Sequence, residues 1–196
     1  ERCLLADKNA DEFSGNWDSE QRDAVQVYLD YVRSIKGEML VEQRLSFEKW
    51  VPFGFGTCDA IVISDGHMSV IDLKYGKGIR VDATDNSQLK LYALAAFDAF
   101  DAIYGPIEKV CLTIAQPRLD HIDEWEISTK DLLHWADNVV RPTAKLAYAG
   151  GGEHKVGDHC QFCPVRHTCR ARYDSNLNLA KSEFGETPKG AELSDD

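Results

Sequence analysis

Apolar residues first recur at helical spacing along the chain and then alternate in strand-like runs. Asp18, with Gln21 three residues later, has the spacing of a capping box, and the apolar positions that follow predict a helix ending at Gly37. Apolar and polar residues alternate over residues 39–47, a period typical of a strand. This strand is expected to place four apolar side chains on one face: Met39, Val41, Leu45 and Phe47.

The next segment predicts a hairpin. Two runs rich in valine and isoleucine flank Asp65-Gly66 and predict strands over residues 57–64 and 67–74. Asp-Gly favours a two-residue type I′ turn, and the register of that turn places Asp59 directly opposite Asp72. Opposed carboxylates repel each other, and Lys74 projects on the same face as Asp72. Two carboxylates and an ammonium suit a Mg²⁺ or Mn²⁺ site, with a structural ion network as the alternative.

Helices and strands continue to alternate after the hairpin. Asp85 and Gln88 have the spacing of a second capping box, before a helix that extends to about residue 100. Ser128 opens a later helix that Pro142 kinks or ends. Two further strands are predicted over residues 110–116 and 124–128. This order predicts an α/β fold with a mixed central sheet flanked by helices.

Composition restricts the functional classes. The 196 residues carry 33 acidic and 22 basic side chains, and the net charge of −11 requires any nucleic-acid contact to be local. No segment approaches the ~20 apolar residues of a membrane span and no signal peptide is visible, so we expect a cytoplasmic protein without a membrane partner. The length predicts one domain over residues 1–173, with its core at about 39–128, and a flexible acidic tail over residues 174–196.

Three short motifs carry a resemblance to a known family: Gly56-Thr57-Cys58-Asp59, Asp72-Leu73-Lys74, and Gln88 with Tyr92 in a Q-x-x-x-Y spacing. In this order they resemble the PD-(D/E)XK nuclease superfamily, in its RecB-like branch, over residues 39–100. The resemblance implies a restriction-endonuclease-like core in which Asp59 and Asp72 hold Mg²⁺ or Mn²⁺ and Lys74 is catalytic. It also implies that Gln88 and Tyr92 support the site and the substrate.

Some of these residues also have ordinary structural explanations. Gln88 is the expected capping partner of Asp85, and Tyr92 is also explained by core packing. Glu42 is a further carboxylate near the site in sequence, but it alternates with the apolar residues of its strand. We therefore expect Glu42 to face solvent and leave it out of the predicted site.

The six cysteines fall into two groups. Cys58 and Cys111 lie in apolar runs and are expected to be buried core residues. In residues 150–173, after Gly150-Gly151-Gly152, three cysteines follow a C-x2-C-x5-C spacing: Cys160, Cys163 and Cys169. Three thiolates are one fewer than a zinc or iron–sulfur site normally uses. A histidine nearby, His154, His159 or His167, would complete a zinc site.

This cysteine segment resembles the C-terminal motif of the iron–sulfur nucleases, which include the AddB nuclease, the CRISPR adaptation exonucleases and phage-encoded members. The resemblance implies a [4Fe–4S] cluster with Cys3 as the fourth ligand and a structural role at the end of the chain. That family carries a histidine between its first cysteine and the core, whereas no histidine precedes His67 here. We therefore expect that an N-terminal piece precedes this sequence. Two alternatives to Cys3 as a ligand follow: that piece carries the fourth cysteine, or Cys3 is a buried residue of the helix-like run Arg2-Cys3-Leu4-Leu5.

Together the resemblances imply a metal-dependent deoxyribonuclease, expected to be an exonuclease in phage DNA recombination, repair or replication within a bacterial host. Its expected partners are DNA and phage recombination or replication proteins. The second hypothesis is a catalytically inactive, nuclease-like subunit that binds DNA or serves assembly and is held together by an iron–sulfur or zinc site. Phosphate contacts are expected from local basic residues: Lys74, Lys77, Arg80, Arg166, Arg170 and Arg172.

Overall fold

A computed structural model describes residues 2–12 and 16–185 of the chain. The chain divides into two compact units, Glu1–Ala149 and Gly150–Asp196, so that the boundary falls at the first of three consecutive glycines. None of the helices within the described ranges combines the length and apolar character that crossing a membrane requires.

The first unit contains helices and strands in mixed order. They are α1 (Arg2–Leu5), α2 (Ser19–Ser34), β1 (Glu38–Ser46), β2 (Phe55–Ser64), β3 (His67–Leu73), α3 (Ser87–Tyr104), β4 (Lys109–Gln116), β5 (His121–Ser128), α4 (Thr129–Trp135), a π-helical turn (Ala136–Val140) and α5 (Arg141–Tyr148). Pro142 lies in the first turn of α5, directly after the π-helical turn, and does not end the helical segment. The last strand begins at His121, earlier than predicted, because its pairing with β4 starts at Gln116.

The five strands form one sheet whose spatial order follows the chain, β1-β2-β3-β4-β5. Three neighbouring pairs are antiparallel, whereas β3 and β4 run parallel because α3 returns the chain to the same end of the sheet. The predicted α/β fold with a mixed sheet flanked by helices is therefore confirmed.

Two apolar layers cover the two faces of the sheet. On one face, Ile61 and Val70 pack with residues of α3 and α4. On the other face, Val62 and Ile71 pack with α2. The alternation between neighbouring residues follows from the period of two in a strand, and each large side chain that is fully buried contributes roughly 1.5–3 kcal/mol.

The two predicted capping boxes have different outcomes. Asp18 and Gln21 form the capping box of α2, as predicted. The second prediction is wrong, because Asn86 caps α3 and its side-chain oxygen accepts hydrogen bonds from the backbone N–H groups of Gln88 and Leu89. Asp85 instead adopts a φ of 53° and forms an ion pair with buried Lys90. The Gln88 side chain is therefore available for other contacts.

The prediction that the four apolar residues of β1 share one face of the sheet is wrong. Met39 and Val41 pack on the α2 side of the sheet, whereas Leu45 and Phe47 pack on the α3 side. The change occurs around Glu42, whose φ of 54° lies in the left-handed region. Cys58 is buried as predicted, but Cys111 is only half-buried.

The second unit contains a 3-10 turn over Asp158–Phe162 and helix α6 over Arg170–Phe184. None of its described residues is buried. Helix α6 covers the first part of the acidic tail predicted from residue 174, and the flexibility of that tail stays a prediction. Residues 186–196 of the predicted tail lie outside the described residues.

Candidate active site

The candidate site lies where β2 and β3 separate. Their pairing follows the predicted register from Ser64↔His67 to Ala60↔Ile71. Beyond it, the Leu73 N–H donates to Oδ2 of Asp59 at 2.7 Å, and the Lys74 N–H donates to the carbonyl of Ala115 in β4 at 2.8 Å. The Asp59 carboxylate thus accepts a hydrogen bond from the backbone of β3 where the pairing of β2 with β3 ends. We call this point, defined by Asp59, Asp72 and Leu73, the fork.

Asp72 and Lys74 form an ion pair at the fork. Nζ of Lys74 lies 2.7 Å from Oδ2 of Asp72. The Asp72 side chain is 6% exposed and that of Lys74 is 32% exposed, so the ammonium borders solvent while the carboxylate is buried. A buried carboxylate needs such partners, because removing its charge from water is costly.

Gln88 and Tyr92 approach the same ion pair from the first turns of α3. Gln88 Oε1 accepts from Lys74 Nζ at 3.1 Å, and Gln88 Nε2 donates to Asp72 Oδ1 at 3.3 Å. The same nitrogen donates to Oη of Tyr92 at 3.0 Å, across the i,i+4 spacing of the helix. The structure therefore joins four of the predicted residues in one hydrogen-bonded network, with Asp59 attached to it through Leu73.

Glu42 belongs to this region, contrary to the expectation that it faces solvent. Val41 pairs with Ala60 and Gln43 pairs with Cys58, so Glu42 lies opposite Asp59 in the register of β1 and β2. The switch of faces in β1 coincides with one in β2, where Cys58 packs on the α3 side and Ala60 on the α2 side. Distortions of this kind change the direction of side chains at the ends of strand pairs. Glu42 is half-buried as a result.

The electrostatic surroundings of Cys58 reflect this gathering of carboxylates. Burial raises the pKa of the Cys58 thiol, and the negative charges of Asp59, Asp72 and Glu42 raise it further. The thiol is therefore protonated and unsuited to act as a nucleophile. The three carboxylates around it are hard oxygen donors of the kind that Mg²⁺ and Mn²⁺ prefer, so the donor set fits the cation that the resemblance implies.

Gly56 lets Tyr92 approach β2. A Cβ atom at Gly56 would lie 2.6 Å from Cε1 of Tyr92, well inside van der Waals contact. We expect Gly56→Ala to displace the ring, to break the bond between Gln88 and Tyr92, and to destabilise the protein by about 1–3 kcal/mol. Thermal unfolding followed by circular dichroism measures this loss.

Gly78→Ala is the matched control, because a Cβ atom there would meet no atom within 4 Å. Removing the ring with Tyr92→Ala should make the additional substitution of Gly56 nearly neutral, which a double-mutant cycle detects. Equal unfolding temperatures for Gly56→Ala and Gly78→Ala would contradict the close approach.

Most of the predicted phosphate-binding residues already have partners within the chain. Lys77 forms an ion pair with Glu20, and its hydrogen bond, together with that of Arg118, which is not among the predicted residues, holds the pKa of Glu20 below its ordinary value. In the second unit, Arg170 pairs with Asp174. Lys74 is the basic residue that the fold places at the fork itself.

The predicted cluster ligands lie in both units. Cys3 is 3% exposed and packs within the apolar layer beneath α2. Cys160, Cys163 and Cys169 are half-buried free thiols of the second unit. Within the described residues of the second unit, the sulfur atoms of Cys160, Cys163 and Cys169 do not all lie within 4.8 Å of one another, and the cluster stays a prediction.

Comparisons with known proteins place the chain in a family without naming an activity. Residues 5–196 match the model of the family described as "Protein of unknown function (DUF2800)". The crystal structure of SSO0001 is similar to this chain with a TM-score of 0.45 and 21% sequence identity, over 76% of this chain and 68% of that chain.

Proposed function

The chain belongs to the DUF2800 family of proteins of unknown function, and we propose that it is a metal-dependent deoxyribonuclease. One observation supports this proposal above all others. Asp72, Lys74, Gln88 and Tyr92 share one hydrogen-bonded network, and Asp59 lies beside it at the fork. The residues to which the resemblance assigns the site thus meet at one place in the fold.

The carboxylates of Asp59 and Asp72 would hold Mg²⁺ or Mn²⁺, and Glu42, which lies opposite Asp59 in the register of β1 and β2, offers a third carboxylate. When bound, such an ion neutralises phosphate charge and lowers the pKa of a coordinated water. Asp59 also accepts the Leu73 N–H, which fixes the orientation of its carboxylate. The pairing of β2 with β3 ends at Ala60↔Ile71, so Asp59 and Asp72 lie just beyond it, and the partly exposed Lys74 borders solvent beside them.

Lys74 has the chemistry to stabilise the developing negative charge on a phosphodiester. Its ammonium carries three donors, and the hydrogen bond to Gln88 with the ion pair to Asp72 employs two of them. The third remains for a phosphate oxygen or an attacking water. Because Gln88 contacts both partners, it holds Lys74 and Asp72 in one arrangement before the substrate arrives, which lowers the cost of reorganisation.

A digestion assay tests the proposal. We expect the full chain to release nucleotides from linear double-stranded or single-stranded DNA in the presence of Mg²⁺ or Mn²⁺ and to be inactive with EDTA. Labels at the 5′ and 3′ ends report the polarity, and covalently closed circular DNA separates an exonuclease from an endonuclease. Failure of the folded protein to cleave any of these substrates with either ion would refute the proposal.

The ion pair between Lys74 and Asp72 favours a second candidate function, because the lysine ammonium compensates the charge of the buried carboxylate without a bound metal ion. In that case the chain is a nuclease-like module that binds DNA or assembles with other proteins but does not cleave. A gel-shift measurement in EDTA distinguishes the two functions. Retention of DNA with no cleavage on adding Mg²⁺ or Mn²⁺ is the result expected of the second candidate.

A further inference from the structure

A group of potential metal ligands lies away from the fork. Asp82, in the loop between β3 and α3, meets His121 and Asp123 of β5. One ligating atom of each residue lies within 4.8 Å of the others, and no second group of three such side chains occurs among residues 2–12 and 16–185. None of the three belongs to the site proposed above.

The loop carrying Asp82 is fixed to the sheet on both sides of that residue. The Val81 N–H donates to Oε1 of buried Gln116 at 2.7 Å, and the Ala83 N–H donates to Oδ2 of Asp123 at 2.7 Å. Asp82 is thus held between two anchored neighbours. These two hydrogen bonds fix the backbone at Asp82 relative to the strands that carry Gln116 and Asp123.

His121 supplies the most specific feature of the group. Its ring is 4% exposed, and Nε2 lies 3.0 Å from the carbonyl oxygen of Val81. A carbonyl only accepts, so in this hydrogen bond Nε2 carries the proton, and in the neutral ring Nδ1 then has the lone pair that a metal ion requires. Histidine ligands of metals commonly use one ring nitrogen in this way and donate the other to a backbone carbonyl.

A competing contact involves Arg80, whose Nε lies 3.3 Å from the same Nε2. That contact requires Nε2 to accept and is the longer of the two. A metal ion bound at Nδ1 requires the proton to be on Nε2. Nε2 then donates to the carbonyl of Val81 and no longer accepts from Arg80. In the described structure His121 has no hydrogen bond to Asp82 or Asp123, so these carboxylates do not already use its second nitrogen.

From these contacts we propose that Asp82, His121 and Asp123 bind a divalent first-row transition-metal ion. Asp123 keeps one carboxylate oxygen after accepting from Ala83, and the Asp82 carboxylate is exposed. One imidazole nitrogen with two carboxylates suits Mn²⁺ or Zn²⁺ better than Mg²⁺, which prefers oxygen ligands alone. The bound ion ties the loop that begins after Lys74 to β5. This site is independent of the proposed nuclease activity.

The probe is Mn²⁺, because Zn²⁺ would also bind the thiolates of the second unit. Binding is counted from the loss of the electron paramagnetic resonance signal of hydrated Mn²⁺. The protein is the full chain with Asp59→Asn and Asp72→Asn, which removes the carboxylates proposed for the nuclease ion. We expect one Mn²⁺ per chain to remain bound, an excess of Mg²⁺ not to displace it, and the unfolding temperature to rise with Mn²⁺.

Adding His121→Gln or Asp82→Asn should weaken the remaining binding by at least about tenfold, whereas Asp120→Asn, next to His121 but outside the group, should not. Asp82 has an exposed side chain, so its variant is expected to fold even if His121→Gln does not. Absence of Mn²⁺ binding in the folded double variant, or binding that survives both substitutions, overturns the site. Neither outcome depends on whether the chain cleaves DNA.

Discussion

Asp72→Asn is expected to abolish DNA cleavage while the protein stays folded. The substitution removes the charge of a proposed cation ligand and the anionic partner of Lys74, yet it keeps an oxygen that accepts from Gln88. We expect the transition state to lose about 4 kcal/mol of stabilisation, which corresponds to a roughly thousandfold lower rate of cleavage. Initial rates on linear DNA with Mg²⁺ and Mn²⁺ measure it, alongside the unfolding temperature.

Asp65→Asn is the matched control on the same hairpin. Asp65 lies in the exposed turn, where Asn-Gly is at least as favourable as Asp-Gly, and it carries the same charge as Asp72. Its rate should equal that of the parent protein. Lys74→Ala should be as inactive as Asp72→Asn. If either variant, shown to be folded, cleaves at the parental rate, the assignment of the fork as an active site is wrong.

Cys163→Ser is expected to remove the iron–sulfur cluster that the cysteine motif predicts. We expect anaerobically purified parent protein to be brown and to contain iron and acid-labile sulfide in matching amounts, and the variant to lose both, because a hydroxyl poorly replaces a thiolate ligand. None of the described residues of this unit is buried, so apolar packing alone is insufficient to hold it. For structural zinc, ligand binding contributes roughly 10–16 kcal/mol to folding, which gives the scale of such an effect.

Cys111→Ser is the control for this prediction, because Cys111 is half-buried in β4 of the first unit and should leave colour and iron content unchanged. Limited proteolysis of Cys163→Ser should cut first after Gly150. Cleavage of DNA should decline only as a consequence, since the proposed hydrolytic ion has oxygen ligands elsewhere. A colourless protein with one tightly bound zinc ion and a histidine ligand would exclude the iron–sulfur centre and leave the nuclease proposal unaffected.

The parts of the fold that could be predicted from sequence depend on short-range chemistry. The Asp65-Gly66 turn sets the register of β2 and β3, because a two-residue turn leaves no freedom in the pairing. The face of β1 could not be predicted in the same way. The alternation rule assumes a regular strand, whereas Glu42 adopts a left-handed conformation that is uncommon for a residue with a side chain.

The candidate site shows the same limit at closer range. Gln88 and Tyr92 lie four residues apart on α3, so their contact follows from helix geometry. The prediction places the cap one residue too early, because Asp85 and Asn86 are both good capping residues; Asn86 caps the helix, and Asp85 pairs with Lys90. That shift releases the Gln88 side chain to contact Asp72 and Lys74.

Residues that were missed depend on longer connections. Glu42 lies opposite Asp59 only because of the register of β1 and β2. Residues 47–54, which connect these strands, contain no two-residue turn from which that register could be predicted. Asp82 and His121 are brought together by a loop folding onto the far strand. A local sequence pattern carries no information about either arrangement, because loop positions are determined by tertiary hydrogen bonds.

The sheet order has a consequence for association between copies of the chain. Because the strands follow the chain order, β1 and β5 are the edges of the described sheet, and an open edge invites another strand to pair with it. Glu124 and Glu126 are exposed along β5; Lys109 pairs with Glu126, whereas Glu124 forms no ion pair with a basic side chain in the described part of the chain, so a second copy approaching with the same edge would add a further charge of the same sign beside it. The acidity that disfavours passive contact with nucleic acid thus also protects the sheet border from edge-to-edge aggregation.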